Sequence, residues 1–128
     1  MRLLLDTHAL VWWLFDDPRL GRTAREMIRF PENEIIVSSV SAFEIATKYR
    51  LGKWPEVAEI VSNFETLEMT ERFSLLPVNH VHALRAGQLS AGHKDPFDRV
   101  LAAQSLIEDA PLVTSDQAFA SFPVPTVW

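Results

Sequence analysis

Short apolar runs alternate with amphipathic stretches along the whole chain. The run Arg2–Leu5 is apolar apart from its first residue and stops at Asp6, as a strand buried on both faces of a parallel sheet would. Glu34–Val37 is rich in β-branched residues, which predicts a second strand. Three further short strands are predicted at Ser74–Pro77, Leu112–Thr114 and Pro125–Val127.

Helices are predicted in the stretches between these strands. Pro31 stops one helix, Gly52 ends another, and the Asp95-Pro96 pair opens a third, because proline is well suited to the first helical position. The predicted helical ranges are His8–Phe15, Arg22–Arg29, Ser41–Leu51, Glu56–Met69, Asn79–Gln88, Asp95–Glu108 and one turn at Asp116–Ala120.

Strands that alternate with helices indicate an α/β protein with a short central parallel sheet flanked by helices on both faces. A length of 128 residues predicts one domain, residues 1–128. In open sheets of this type, ligands bind outside the carboxyl ends of the strands. The polar residues that follow each strand are therefore the first candidates for function.

Composition narrows the class of protein further. The chain has no cysteine, which excludes disulfides, thiolate catalysis and zinc sites built on sulfur. Its apolar start is short, carries Asp6 and lacks a small-residue cleavage site, so we expect a cytoplasmic protein without a signal peptide or membrane span. A net charge of −5 argues against a simple nucleic-acid coat, but it is compatible with a nuclease that binds phosphate through metal ions.

Acidic residues follow the predicted strands almost every time. Asp6 comes directly after the first strand, and Asp116 follows Leu112–Thr114 with one residue between. Glu44 and Asp98 lie near the starts of the helices predicted from Ser41 and from Asp95. If the sheet is doubly wound, these four carboxylates converge at one edge of it.

Each acid also has a structural explanation as a helix cap. Asp is among the best N-cap residues, which suits Asp6, Asp95 and Asp116. The spacing of Ser41 and Glu44 fits a capping box, with Glu44 reaching back to the Ser41 amide. Capping and metal binding are compatible readings of the same residues.

Convergence favours a cation site. Two carboxylates about 5 Å apart repel each other by roughly 3 kcal/mol at an effective dielectric constant near 20, so a cluster of them calls for a cation. Ligand sets made only of oxygen suit Mg²⁺ or Mn²⁺ better than zinc. A divalent ion held by carboxylates can activate water against a phosphodiester without any protein nucleophile.

Four segments with these acids at these positions resemble the PIN-domain nucleases, and among them the VapC-type toxins of bacterial toxin–antitoxin pairs. The segments run from Leu3 to His8, Val37 to Ile45, His93 to Gln104 and Leu112 to Asp116. The most specific is the Asp-Pro-Phe-Asp-Arg run followed by Ala-Ala-Gln. The resemblance covers nearly the whole chain and implies a PIN-like α/β/α sandwich.

The resemblance also implies an activity and partners. It implies an endoribonuclease in which Asp6, Glu44, Asp98 and Asp116 hold Mg²⁺ or Mn²⁺ and RNA is the substrate. The segment from His93 to Gln104 resembles the third acidic motif of the family, in which the acid lies four residues before an Ala-Ala pair. This spacing selects Asp98 over Asp95. A homodimer is implied, together with an antitoxin whose C-terminal segment lies across the toxin. We expect its apolar helix to dock near four aromatic residues, Trp12, Trp13, Tyr49 and Trp54.

Basic and hydroxyl residues near the acids are secondary candidates. Possible RNA contacts are Lys48, Arg50, Lys53, His93, Lys94 and Arg99, although Lys48 is equally well placed for an i,i+4 pair with Glu44. Thr7, Thr114 and Ser115 could orient water, but surface turns use the same residue types. His80 and His82 do not share a helix face, so a metal role for them is not expected.

Two other functions compete with the ribonuclease. One is a metal-dependent phosphohydrolase outside any toxin system, but a phosphatase of the haloacid-dehalogenase type needs a second Asp where this chain has His8. The other is an Mg²⁺-binding interaction module without nuclease activity. A receiver-like module needs a lysine near the end of a late strand, and here Ser115 and Asp116 follow Leu112–Thr114. Cleavage of RNA only in the presence of metal separates the nuclease from both.

Overall fold

The computed structural model describes residues 1–128 and is built on a five-stranded sheet in the order β3-β2-β1-β4-β5. Every neighbouring pair of strands is parallel. The strands are β1 (Arg2–Leu5), β2 (Glu34–Ser38), β3 (Ser74–Leu76), β4 (Leu112–Val113) and β5 (Thr126–Val127). The predicted parallel sheet is confirmed. The observed bounds of each strand agree with the predicted bounds to within one residue at either end.

Seven α-helices connect and cover the strands. They are α1 (Thr7–Leu14), α2 (Arg22–Arg29), α3 (Ser39–Arg50), α4 (Ala58–Asn63), α5 (Leu67–Thr70), α6 (His80–Gln88) and α7 (Pro96–Ile107). Short 3₁₀ turns occur at Pro55–Val57, Phe64–Thr66 and Gln117–Ser121. None of the helices has the length and apolar composition that crossing a membrane requires.

The sheet separates two apolar cores, because successive side chains of a strand point to opposite faces. Leu3 and Leu5 of β1 face a core shared with α1, α2, α4 and α5. Leu4, between them, faces the other core, which α7 covers with Leu101 and Ala102. All five residues are fully buried. The protein therefore has the three layers of an α/β/α sandwich, as predicted.

Helix α3 begins two residues earlier than its sequence predicts. Ser38, the last residue of β2, is its N-cap, and its hydroxyl accepts a hydrogen bond from the Val40 amide at 3.0 Å. Ser41 is therefore inside the helix, and the predicted capping box between Ser41 and Glu44 is wrong. The end of α3 is as predicted, since Gly52 follows it with a φ of +74°.

The predicted helix Glu56–Met69 is also wrong in one respect. The structure divides this range into the helices α4 and α5 and two 3₁₀ turns. Val57, Ile60 and Leu67 all reach the same core from these short pieces. Their burial produced an apolar pattern that a single long helix also explains.

Candidate active site

One small polar cavity lies at the carboxyl ends of β1 and β4. Its volume is about 70 Å³, and no hydrophobic residue lines it. The lining residues are Asp6, Thr7, His8, Glu44, Lys48, Asp95, Asp98 and Asp116. The structure thus brings all four predicted acids to one place, although they come from four different elements.

Asp6 is almost fully buried and caps α1. Its Oδ1 accepts a hydrogen bond from the Ala9 amide at 2.7 Å, and its Oδ2 accepts one from the Thr114 hydroxyl. Burial raises the pKa of Asp6 to about 6, against the lowering effect of these two hydrogen bonds, and the charges of Asp116 and Glu44 raise it further. Asp6 therefore caps α1 and is also a carboxylate whose charged form is destabilised by burial.

Glu44 lies in the second turn of α3 and is also almost fully buried. Its Oε1 accepts a hydrogen bond from the Thr7 hydroxyl at 2.6 Å, and its Oε2 accepts one from Lys48 Nζ at 2.5 Å. The Thr7 hydroxyl has one proton, so the 3.0 Å contact with Ser41 Oγ is a bond that Ser41 donates. A chain of hydroxyls thus orients Glu44 toward the cavity.

Asp98 and Asp95 stand at the start of α7 with different partners. Asp95 is the N-cap, and its Oδ1 accepts hydrogen bonds from the amides of Phe97 and Asp98. The Asp98 carboxylate instead meets His93 Nε2 at 2.7 Å. Burial raises the pKa of Asp98 to about 6, with added effects from Asp95 and Glu44, while the His93 bond lowers it. Asp95 lines the cavity as well, so it combines capping with a place in the acidic cluster.

Asp116 is the most exposed of the four acids. It caps the 3₁₀ turn after β4, with Oδ1 accepting a hydrogen bond from the Ala118 amide at 2.9 Å. Its own amide donates to Thr114 Oγ1 at 3.0 Å. Because the Thr114 hydroxyl donates to Asp6, this one buried side chain links two of the acids.

The two threonines correct one prediction from the sequence. Thr7 and Thr114 were expected in surface turns, yet both are buried and hold the carboxylates of Glu44 and Asp6. Ser115 is exposed, as a turn residue would be. A threonine within two residues of a strand-end acid was the available signal for these positioning roles.

His8 is a cavity residue that the sequence analysis assigned no role. Its ring lies between the rings of Trp12 and Trp54, at centroid distances of 5.6 and 5.1 Å. Burial and the charge of Lys48 lower the pKa of His8, so it is neutral near pH 7. The only signal in the sequence was its position two residues after Asp6.

The candidate RNA contacts divide into two groups. Arg99 is committed to backbone carbonyls around residues 86–93, which speaks against its predicted contact with RNA. His93 is bonded to Asp98, and Lys48 forms the i,i+4 ion pair with Glu44. The exposed cations Arg50, Lys53 and Lys94 form no salt bridge and keep their predicted role as candidates.

The donor set of the cavity suits a hard divalent cation, since it consists of carboxylates with hydroxyls behind them. In the present conformation no three His, Asp or Glu side chains are grouped closely enough to hold a metal ion. Their oxygens are engaged in the hydrogen bonds given above, but each carboxylate retains free lone pairs. The cluster therefore fits a divalent cation by the chemistry of its donor atoms.

Two apolar surfaces lie close to the cavity. A groove of about 630 Å³ runs between α3, the loop after β3 and α7, and Phe43 and Phe97 meet in it at 5.3 Å. Phe43 is 65% exposed, and Val78 at the same groove is 37% exposed. On another side, Tyr49 is exposed, whereas Trp12, Trp13 and Trp54 are partly buried against the core.

Comparison with known proteins identifies the family. The model of the PIN domain matches residues 3–124, which is nearly the whole chain. The chain belongs to the PIN domain family. This confirms the resemblance predicted from its acidic motifs.

Individual PIN-domain relatives extend the comparison. The chain is 28% identical to "Ribonuclease VapC22" of Mycobacterium tuberculosis (strain ATCC 25618 / H37Rv), over 98% of both proteins. It matches a chain in the structure of VapBC2 from Rickettsia felis bound to a promoter DNA fragment, with a TM-score of 0.72 and 19% identity over 99% and 98% of the two chains. It also matches VapBC-1 from nontypeable Haemophilus influenzae, with a TM-score of 0.64 and 17% identity over 99% and 97%. These two structural likenesses show the PIN-type fold.

Proposed function

We propose that this PIN domain is a metal-dependent endoribonuclease and the toxin of a toxin–antitoxin pair. The observation that carries the proposal is the single small cavity lined by Asp6, Glu44, Asp98 and Asp116 at the carboxyl edge of the sheet. The similarity to a ribonuclease and to toxin–antitoxin complexes supports the substrate and the biological role.

The four carboxylates would hold Mg²⁺ or Mn²⁺. The chemistry that such an ion supplies is polarisation of a phosphoryl oxygen and activation of water for attack on phosphorus. The protein contributes the placement of the carboxylates. Thr114 fixes Asp6, and Thr7 fixes Glu44, so that two ligands are oriented before RNA arrives.

Lys48 is the residue placed to balance charge in this site. Its ammonium pairs with Glu44 and lies 5.8 Å from the centre of the Trp54 ring. If Glu44 holds a cation, Lys48 is free to contact a phosphate of the RNA backbone. The exposed Arg50 and Lys53 lie further along the same segment and would continue that contact.

The decisive experiment is cleavage of defined RNAs by the purified protein. Structured and single-stranded RNAs are incubated with Mg²⁺, Mn²⁺ or EDTA, and the cuts are mapped. We expect cleavage only with metal, and its loss in Asp6→Asn and Asp98→Asn. Asp109→Asn is the matched control, because Asp109 is exposed, lies in the turn before the amino end of β4 and not among the cavity residues, and has a φ of +51° that asparagine tolerates.

Other outcomes distinguish the rival functions. Mg²⁺ binding with intact RNA would support an interaction module, and hydrolysis of small phosphate esters without RNA cleavage would support a phosphohydrolase. The toxin role is tested separately by expression of the chain alone. Growth should stop, and co-expression of the neighbouring reading frame should restore it.

We propose two protein partners for the apolar surfaces. The groove around Phe43 and Phe97 suits a homodimer, because the side chains of Phe43 and Val78 leave apolar surface exposed in it. The antitoxin is assigned to the surface around Tyr49, with an Arg or Lys that reaches the carboxylates. Such a segment would be disordered alone and fold on binding.

A further inference from the structure

Arg99 holds the loop that precedes α7 by an unusual number of hydrogen bonds. Its Nε donates to the Ala86 carbonyl at 2.9 Å, and one terminal nitrogen donates to the carbonyls of Ala91 and His93 at 2.9 and 2.8 Å. The other terminal nitrogen donates to the Leu89 carbonyl at 2.5 Å. Four of the five N–H groups of the guanidinium are thus committed to one short segment of backbone.

The same segment carries His93, whose ring meets Asp98. His93 Nε2 lies 2.7 Å from Asp98 Oδ2, and the His93 side chain is 24% exposed. The ring of the buried Phe122 contacts both residues, at 5.7 Å from the His93 centroid and 6.0 Å from Arg99 Cζ. One of the carbonyls that Arg99 binds belongs to His93 itself.

We propose that Arg99 and His93 form a positioning unit that orients Asp98 as a metal ligand. The proposal rests on the function proposed above, because it assumes that Asp98 binds the cation. Arg99 fixes the backbone of His93, and the imidazole N–H then holds Oδ2 of Asp98, which leaves Oδ1 without a hydrogen-bond partner in the protein. Neither residue contacts the metal or the RNA.

The physical basis is the orientation of a ligand before binding. A carboxylate that rotates freely must be immobilised when the cation binds, whereas one already held by a donor is not. Loss of a partner of this kind typically weakens metal affinity by about 10- to 100-fold. Asp98 and Arg99 are neighbours on α7. On this proposal one is the metal ligand, and the other fixes the backbone of His93, which is the hydrogen-bond partner of that ligand.

The test measures Mn²⁺ affinity of the full chain without RNA, from the electron paramagnetic resonance signal of the free ion. We expect His93→Ala and Arg99→Lys each to weaken Mn²⁺ binding by about 10- to 100-fold. The double variant should bind no more weakly than His93→Ala alone, because Arg99 acts through His93. His80→Ala and Arg85→Lys are matched controls on exposed positions of α6 and should leave the affinity unchanged.

Asp98→Asn separates failure of this inference from failure of the proposed function. If Asp98→Asn leaves Mn²⁺ binding unchanged, the metal site itself is wrong. If Asp98→Asn weakens binding but His93→Ala does not, the positioning unit is wrong and the site stands. Tighter binding by His93→Ala would also overturn the inference, because His93 would then compete with the cation for Asp98.

A purely structural role of Arg99 predicts a different pattern. In that case Arg99→Lys should lower the free energy of unfolding in EDTA without the non-additive loss of Mn²⁺ affinity. If Arg99→Lys does not fold, Phe122→Leu replaces it, since that ring packs against both His93 and Arg99. Unchanged Mn²⁺ affinity in a folded Phe122→Leu protein would count against the unit.

Discussion

Replacement of Asp6 by asparagine should stabilise the metal-free protein at neutral pH. Burial raises the pKa of Asp6 from 3.8 to about 6, so the folded protein holds the carboxyl proton more tightly than the unfolded chain does. The folded state therefore loses stability as the pH rises between these two values, and the full penalty is present above pH 6. A shift of about two pKa units lowers the free energy of unfolding, relative to low pH, by about 3 kcal/mol at pH 7.5 and by about 1.5 kcal/mol at pH 5.

Asparagine keeps part of the native hydrogen bonding. Its side-chain oxygen can still accept from the Ala9 amide, because Asn is as good an N-cap as Asp. The hydrogen bond that Thr114 donates to Oδ2 is lost, at a cost of about 1–2 kcal/mol. The net gain in the free energy of unfolding should be about 1–2 kcal/mol at pH 7.5 and close to zero at pH 5.

Urea unfolding in EDTA, followed by tryptophan fluorescence, measures this gain at both pH values. Asp17→Asn is the control of opposite sign, since hydrogen bonds from Arg19 lower the pKa of Asp17 to about 2. Added Mg²⁺ should stabilise the wild type and leave Asp6→Asn unaffected. If Asp6→Asn is less stable than wild type at pH 7.5, or if its gain is the same at pH 5, the argument from burial is refuted.

Three further predictions concern neighbouring residues. Asp95→Asn keeps a good N-cap and should retain most of the RNA cleavage rate, and a loss as large as that of Asp98→Asn would make Asp95 a fifth functional acid. Thr7→Val removes the hydroxyl that orients Glu44 and should lower the cleavage rate at least about 10-fold while urea unfolding shows a folded protein. Phe43→Glu should convert the homodimer proposed above to a monomer in light scattering, and a persistent dimer would place the interface elsewhere.

The positions of the four acids could be predicted from the sequence because short-range patterns determine them. An apolar run such as Arg2–Leu5 ends where its strand ends, and the next polar residue lies at the carboxyl edge of the sheet. Parallel pairing then brings such residues together. Glu44 lines the same cavity from within α3, even though the capping box proposed for it is wrong.

The partners of the acids could not be predicted in the same way. Thr7 and Thr114 look like turn residues locally, and their burial depends on the pairing of β1 with β4 across more than a hundred residues. Arg99 carries a charge that favours an RNA contact, but a cluster of backbone carbonyls binds it instead. Phe43 and Phe97 form a groove only because α3 and α7 pack side by side.

The pairing of β1 with β4 has a consequence for folding during synthesis on the ribosome. Thr114, the hydrogen-bond partner of Asp6, lies 108 residues after it and is followed by Asp116. A nascent chain emerges with its N-terminal side first, so β1 leaves the ribosome long before β4 can pair with it. The order of strands thus delays assembly of the proposed active site until β4 and Asp116 have left the ribosome.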